Sequence, residues 1–325
     1  MTAYLLRRVL YALPILLGVN VITFVLFFVV NTPDDMARMQ LGDRRVTQEA
    51  IDKWKNERGY DRPLFWNGAA DGLARATDTL FFSSTLQLFS FDFGKSDGGR
   101  DIGTDLAQRM GPSLAIAVPV LVLGLVVALA WALVIAWLRG SAIDTWSVVI
   151  CVGMMSISGL FYIIGGQYLV AKSWRLVPIS GYDHGLAGLK FLVLPVLVGV
   201  LISLGANVRW YRTIFLEEMG RDHVRMARAK GLSDARVMLA HVLRNAQIPI
   251  LTGVVVLLPT LFLGALITEA FFAIPGLGSY TIDAIQAQDF AIVRTMVFLG
   301  SLLYILGLLL TDLSYVIADP RVRLG

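Results

Sequence analysis

The chain has 325 residues, of which 56% are hydrophobic and 16% charged, with a mean hydropathy of +0.69. Soluble domains carry about 25% charge and roughly 45–50% apolar residues, so this composition excludes an ordinary cytosolic enzyme, a disordered protein and a nucleic-acid-binding domain. The net charge of +4 reads as loops facing the cytoplasm, and the one cysteine, Cys151, lies in an apolar run and excludes a disulfide framework or a cysteine-built metal site.

Crossing about 30 Å of hydrocarbon takes roughly 20 helical residues. Six runs without Asp, Glu, Lys or Arg come near or exceed that length: 9–33, 110–138, 145–171, 191–208, 245–268 and 295–311, the last reaching 318 if Asp312 is admitted. Their length without period-2 alternation predicts six membrane-spanning helices rather than a barrel. The first run is too long for a signal-peptide core and lacks a small-x-small cleavage site, so it reads as a retained anchor. Arg7 and Arg8 put the N-terminus inside. Six crossings then put the C-terminus inside, with Arg321 and Arg323. The expected organisation is residues 1–33 as N-terminus and first helix, 34–109 as an extracytoplasmic loop domain, 110–318 as a five-helix core, and 319–325 as a cytoplasmic tail.

Within the outer loop, Thr47 caps a helix over 48–58, Gly59 ends it and Pro63 lies beyond. Residues 86–93, partly alternating and rich in aromatics, predict a short strand or hairpin. Two compatible roles follow for the loop: a lid packed on the helices, or a docking surface for a partner that delivers substrate.

The inside segment 209–244 carries eight Lys and Arg against four acids. Its pattern predicts a helix, a break and a helix. Ile214, Phe215, Leu216 and Met219 begin one apolar stripe; Gly231 supplies a left-handed stop; Ser233 caps the next helix, with Asp234 at its positive end. Such helices must pack on the bundle or into another protein, unless they lie on anionic lipid as a basic surface helix.

Catalytic patterns are absent. His184, His223 and His241 form no metal spacing, there is no Gly-x-Ser-x-Gly elbow, and Gly94-Lys95-Ser96 has Phe89 where a phosphate-binding loop needs glycine. Candidate pathway or gate residues are Asn207 in the fourth span, Glu269 near the outer end of the fifth and Asp312 near the inner end of the sixth. Both acids also lie close enough to an interface to hydrate. With no acid or base at mid-span, self-powered transport is disfavoured; an ion-coupled carrier or channel working alone is the alternative reading.

Ala227-Arg228-Ala229-Lys230-Gly231-Leu232, followed by Leu243-Arg244-Asn245-Ala246 and Ile248-Pro249, resembles the coupling segment of oligopeptide/dipeptide importer permeases, the type I membrane subunits of ATP-binding-cassette transporters. Other stretches agree: Tyr4 with Arg7-Arg8, Gly59-Tyr60-Asp61-Arg62-Pro63-Leu64, Phe91-Asp92-Phe93-Gly94-Lys95-Ser96, Glu269 through Gly278, and Asp312 through Asp319-Pro320-Arg321-Val322-Arg323. Departures are Thr32-Pro33-Asp34-Asp35 in place of "P-G-D-P", and basic Arg225 near where the wider superfamily places an acid.

The resemblance implies an all-α type I permease fold, six helices with both termini inside, in the bacterial inner membrane. It implies pairing with a second homologous permease, two ATPase subunits below and a substrate-binding protein outside. ATP and Mg would sit on the ATPases, with no cofactor on this chain. It assigns ATPase coupling to Arg225, Ala227, Arg228, Ala229, Lys230, Gly231, Leu232, Arg244 and Asn245. Ala227 and Ala229 would allow close approach, Arg228 and Lys230 charged contacts, and Gly231 the turn.

Overall fold

A computed structural model describes residues 2–42, 46–183 and 185–318. His184 and the expected tail, 319–325 with Arg321 and Arg323, lie outside the described residues. Among those described there is no β-strand, only an isolated bridge between Lys95 and Asp101. The chain divides into two compact units, Met1–Gln108 with Tyr280–Ile305, and Arg109–Ser279 with Leu306–Gly325.

In the first unit, α1 (Thr2–Phe24) continues as a wider π turn, Val25–Val30. Thr32 then caps α2 (Pro33–Leu41) in a reciprocal capping box with Asp35. The helix predicted over 48–58 is α3 (Gln48–Arg58), with Thr47 accepting from the Ala50 amide and Gly59 left-handed at its end. Phe24 and Phe28 stack with Phe81, Phe65 and Tyr60, and these rings pack the loop against the end of α1. Arg58 lies 4.4 Å from the Trp54 ring and bonds Asp97 at 2.8 Å; Asp97 in turn donates its amide to Asp289 at 2.7 Å. Burial pushes the Asp289 carboxyl above its usual range, and the like charge of Asp97 adds to the shift.

The strand or hairpin expected at 86–93 is instead the end of a helix, α4 (Leu80–Phe89). Thr79 caps it through the Phe82 amide, and Leu80, Ser84 and Leu88 fall on one buried face at helical spacing. Of the aromatics that suggested a strand, Phe89 and Phe93 pack half-buried against Leu88, the latter from beyond the helix end, and Phe91 is exposed.

In the second unit, α5 (Ile102–Trp137) is a single long helix, of which residues from 109 belong here. The third run is not one helix. It comprises α6 (Ala142–Ser156) and α7 (Gly159–Gly166), the latter extended by a π turn to Ser173, and the two rods are bent by 89°. Ile157 and Ser158 are extended at the break. Ser156 bonds back to the Val152 carbonyl, a contact that bends helices, and the Met154 carbonyl accepts both the Ile157 amide at 3.4 Å and the Tyr162 hydroxyl at 2.9 Å. Among the described residues, five helices are long and apolar enough to cross a membrane, and the bent pair makes six if it counts as one span.

α8 (Leu189–Met219) packs on α6 and α7. Gly205 allows that closeness: a Cβ there would lie 2.6 Å from the Cys151 carbonyl. The stripe at 214–219, expected to begin a separate helix, is the last part of α8. No glycine, proline or cap interrupts the chain between Val208 and Met219, and Phe215 is fully buried. The helices that follow are α9 (Asp222–Ala229), the rod α10 (Asp234–Leu263), α11 (Leu266–Phe271), α12 (Leu277–Gln286) and α13 (Phe290–Ala318).

Candidate functional site

α9 is the only separate helix in the segment 209–244. Val224 and Ala227 are buried in the core formed with α8 and the start of α10. Its other face presents Arg225, Met226, Arg228, Ala229 and Lys230 to the outside. Of the two alanines expected to admit a partner, Ala229 is on the exposed face and Ala227 is turned into the bundle.

Both ends of α9 are fixed. At the C-terminal end the Gly231 amide donates to Arg228 and the Leu232 amide to Ala227, with Gly231 at φ +78°; this is the Schellman arrangement, which a Cβ at the left-handed position strains. Leu232 packs half-buried on the core. At the N-terminal end Glu218, on the last turn of α8, bonds Arg221 at 3.0 Å and His223 at 3.2 Å. Asn245, on α10, lies 2.8 Å from the same imidazole nitrogen, and Arg244 beside it is exposed. Ser233 holds the cap position of α10, though its side chain makes no capping bond.

The exposed charges of α9 are weakly paired. Arg225 reaches Asp222, and Arg228 reaches Asp234, each at 3.6 Å between largely exposed groups. Such pairs contribute little, so the guanidinium groups are available to another protein. One level deeper, Arg212 clamps Asp144 with two bonds of 2.8 Å and fixes the start of α6 against α8.

The three pathway candidates fall in different surroundings. Asn207 lines a cavity of about 270 Å³ among α5, α8 and the α10–α11 region. Its walls are apolar, with Ser203, Asn207, Tyr211 and Thr268 as the polar points. Asp312 is half-buried near the end of the apolar part of α13.

Glu269 does not line the cavity; it is fully buried. One carboxylate oxygen accepts from Ser113 (2.8 Å) and the Ala265 amide (3.0 Å), the other from the amides of Gly278 (2.7 Å) and Ser279 (3.0 Å). Ser113 also accepts from the Leu277 amide at 2.7 Å. The carboxylate thus takes up the orphan amides at the start of α12, and a Cβ on Gly276 would lie 2.5 Å from the Ser113 hydroxyl.

Asp144 and Ser113 escaped sequence reading because each works through a partner far along the chain, Arg212 and Glu269; Glu218 and Tyr162 bond nearby groups and escaped it because no residue pattern marks the helix end at Gly220 or the break at Ile157. Among the described residues no group of three or more His, Cys, Asp or Glu side chains is arranged to hold a metal ion.

Comparison with known proteins agrees with this architecture. Residues 128–324 match the binding-protein-dependent transport system inner membrane component family, and residues 1–69 match the N-terminal family of such membrane components. The chain is 31% identical to a putative peptide transport system permease protein of Brucella abortus (strain 2308), over 99% of both chains. It is 28% identical to the dipeptide transport system permease protein DppB of Escherichia coli (strain K12), again over 99% of both. It is 29% identical to a probable peptide ABC transporter permease of Sinorhizobium fredii (strain NBRC 101917 / NGR234), over 99% of this chain and all of that one. The chain therefore belongs to the binding-protein-dependent transport system inner membrane components, as a multi-pass permease subunit of the bacterial inner membrane.

Proposed function

We propose that this permease carries peptides or related small solutes inward, handed over by an external binding protein and driven by ATP hydrolysis on separate ATPase subunits. The observation that carries the reading is α9: a short basic helix with its apolar side buried, both ends fixed, and an exposed face of Arg225, Arg228, Ala229 and Lys230. A part shaped this way moves with the bundle when something grips its outer face. ATP and Mg belong to the gripping subunits, and this chain binds no cofactor. A second, homologous permease completes the pathway beside the Asn207 cavity. The peptide class follows from the names of the relatives over nearly the whole chain.

The test is Gly231→Val in the assembled transporter. A β-branched side chain at φ +78° costs about 1–2 kcal/mol locally and deforms the Schellman turn. Insertion and ATPase activity persist, while uptake of a labelled dipeptide falls about tenfold or more. Undiminished uptake, or solute flux from the purified chain reconstituted without ATPases, overturns the reading; the latter result would identify a self-contained carrier.

A further inference from the structure

We propose that the groove between α6 and α8, at the level of Arg209, binds the phosphate of an anionic phospholipid in the cytoplasmic leaflet. The placement in that leaflet rests on the orientation given by the basic segment 209–244. Phosphate preference itself does not depend on the transport reading.

The groove encloses about 340 Å³. Val148, Met155 and Ala206 form an apolar wall, and Arg209, Trp210 and Thr213 carry the polar groups of its mouth. Of the two arginines lining it, Arg212 is already neutralised by the two-pronged contact with Asp144. Arg209 is not. Its Nη1 rests 3.6 Å from the Met155 sulfur, a weak acceptor, and among the described residues no carboxylate lies within ion-pair distance of it. The Thr213 hydroxyl donates to the Arg209 carbonyl, so the remaining charge-bearing donor at the mouth is the guanidinium.

Position along the helix supplies the second half of the argument. α8 has 31 residues, about 46 Å at 1.5 Å per residue, against about 30 Å of hydrocarbon. Residues 191–208 are uncharged, and Arg209 is the first charge after them. It therefore stands where acyl chains give way to headgroups. Trp137 at the end of α5, Trp146 in the first turns of α6 and Trp210 on α8 are all exposed. Tryptophans with an apolar body and a polar tip collect at that boundary. An exposed guanidinium without counter-charge, set on an apolar wall at the headgroup level, matches a phosphodiester with its acyl chain on Val148 and Met155. A soluble anion would use the charge and leave the wall bare.

The experiment is native mass spectrometry of the full chain, delipidated and titrated with phosphatidylglycerol or phosphatidylcholine. The parent favours phosphatidylglycerol by about tenfold, because phosphatidylcholine offers the same phosphate already neutralised by its quaternary ammonium, which the guanidinium repels. Arg209→Gln abolishes the preference, Arg209→Lys keeps part of it, and Ala206→Trp, which fills the groove and leaves the charge, weakens it. Because Arg209 and Ala206 are both exposed, neither change disturbs the core. Equal binding of the two lipids by the parent, or a preference unchanged in Arg209→Gln, overturns the proposal. So does displacement by inorganic phosphate alone, which would point to a soluble anion. Efficient cross-linking from Thr213→Cys to the second permease in the assembled transporter overturns it too, since that face would then be a subunit interface.

Discussion

The rod α10 ends in two turns built on opposite principles. At its N-terminal end, residues 220–233 hold α9 by a backbone motif and by contacts among partly exposed groups around Glu218. Past its C-terminal end, residues 264–279 are held by one carboxylate, Glu269, inaccessible to solvent and saturated by four donors. The rod between them has 30 residues, about 45 Å at helical rise. The first turn leaves its charge on the surface; the second uses its charge internally. In the proposed coupling to an ATPase, the first is the grip that a partner reaches and the second the abutment against which the rod is pushed.

The sharpest way to break this comparison is to empty the second turn. Glu269→Ala leaves Ser113 and three amides without their acceptor in a site closed to water. The expected loss is about 3–5 kcal/mol, visible as a collapse in the melting temperature and yield of the purified chain. Glu269→Gln does nearly as badly, because its amide group must turn an N–H toward one of the two donor pairs. A chain that melts normally as Glu269→Gln would show that the turn is held by its packing and not by the carboxylate.

These two turns also show where sequence reading succeeds. The inner turn was legible because its determinants are local: Gly231 stops a helix whose residues are its immediate neighbours, and Ser233-Asp234 begins the next. The same locality made Thr47 and Gly59 readable around α3. The outer turn was legible only as a string. Glu269 could be singled out as an acid beside a membrane span, but its caging required Ser113, 156 positions away. The broken third span failed for a related reason. Hydropathy is continuous from 145 to 171, and the break becomes tolerable through Tyr162 capping a carbonyl that no composition profile registers. In 86–93, aromatic content outweighed the helical spacing of Leu80, Ser84 and Leu88, since the cap that starts the helix, Thr79, lies outside the segment first considered.

A milder change sharpens the contrast from the other side. Glu218→Gln weakens the contacts to Arg221 and His223, yet Arg221 is more than half exposed and can hydrate. The expected cost is about 1 kcal/mol, well below that of Glu269→Gln. Transport falls further than stability does, because α9 loses an anchor at its N-terminal end. The measurement is the pair of melting curves set beside uptake by the two variants in the assembled transporter. If the two glutamines cost the same, the distinction between grip and abutment fails.

The smallest effect tests what makes a buried carboxylate a support. Asp289 caps the start of α13 through the Ile292 amide and accepts from Asp97, but burial and the neighbouring Asp97 charge outweigh those donors and push its carboxyl upward. An acid whose pKa is raised by folding holds its proton more tightly in the fold than in the unfolded chain. Its contribution therefore grows as pH falls through the folded value and is complete below the unfolded value near 3.9; it is lost as pH rises. Asp35 and Asp101, whose carboxyls are lowered by hydrogen bonds from Thr32 and Thr104, act with the opposite sign, and they persist in an Asp289→Asn variant. Subtracting the melting temperature of Asp289→Asn from that of the parent isolates Asp289. The difference rises in favour of the parent as pH is lowered toward 4. A difference that instead falls over that range would mean that the donors at the head of α13 dominate, and that Asp289 supports its helix as Glu269 supports α12.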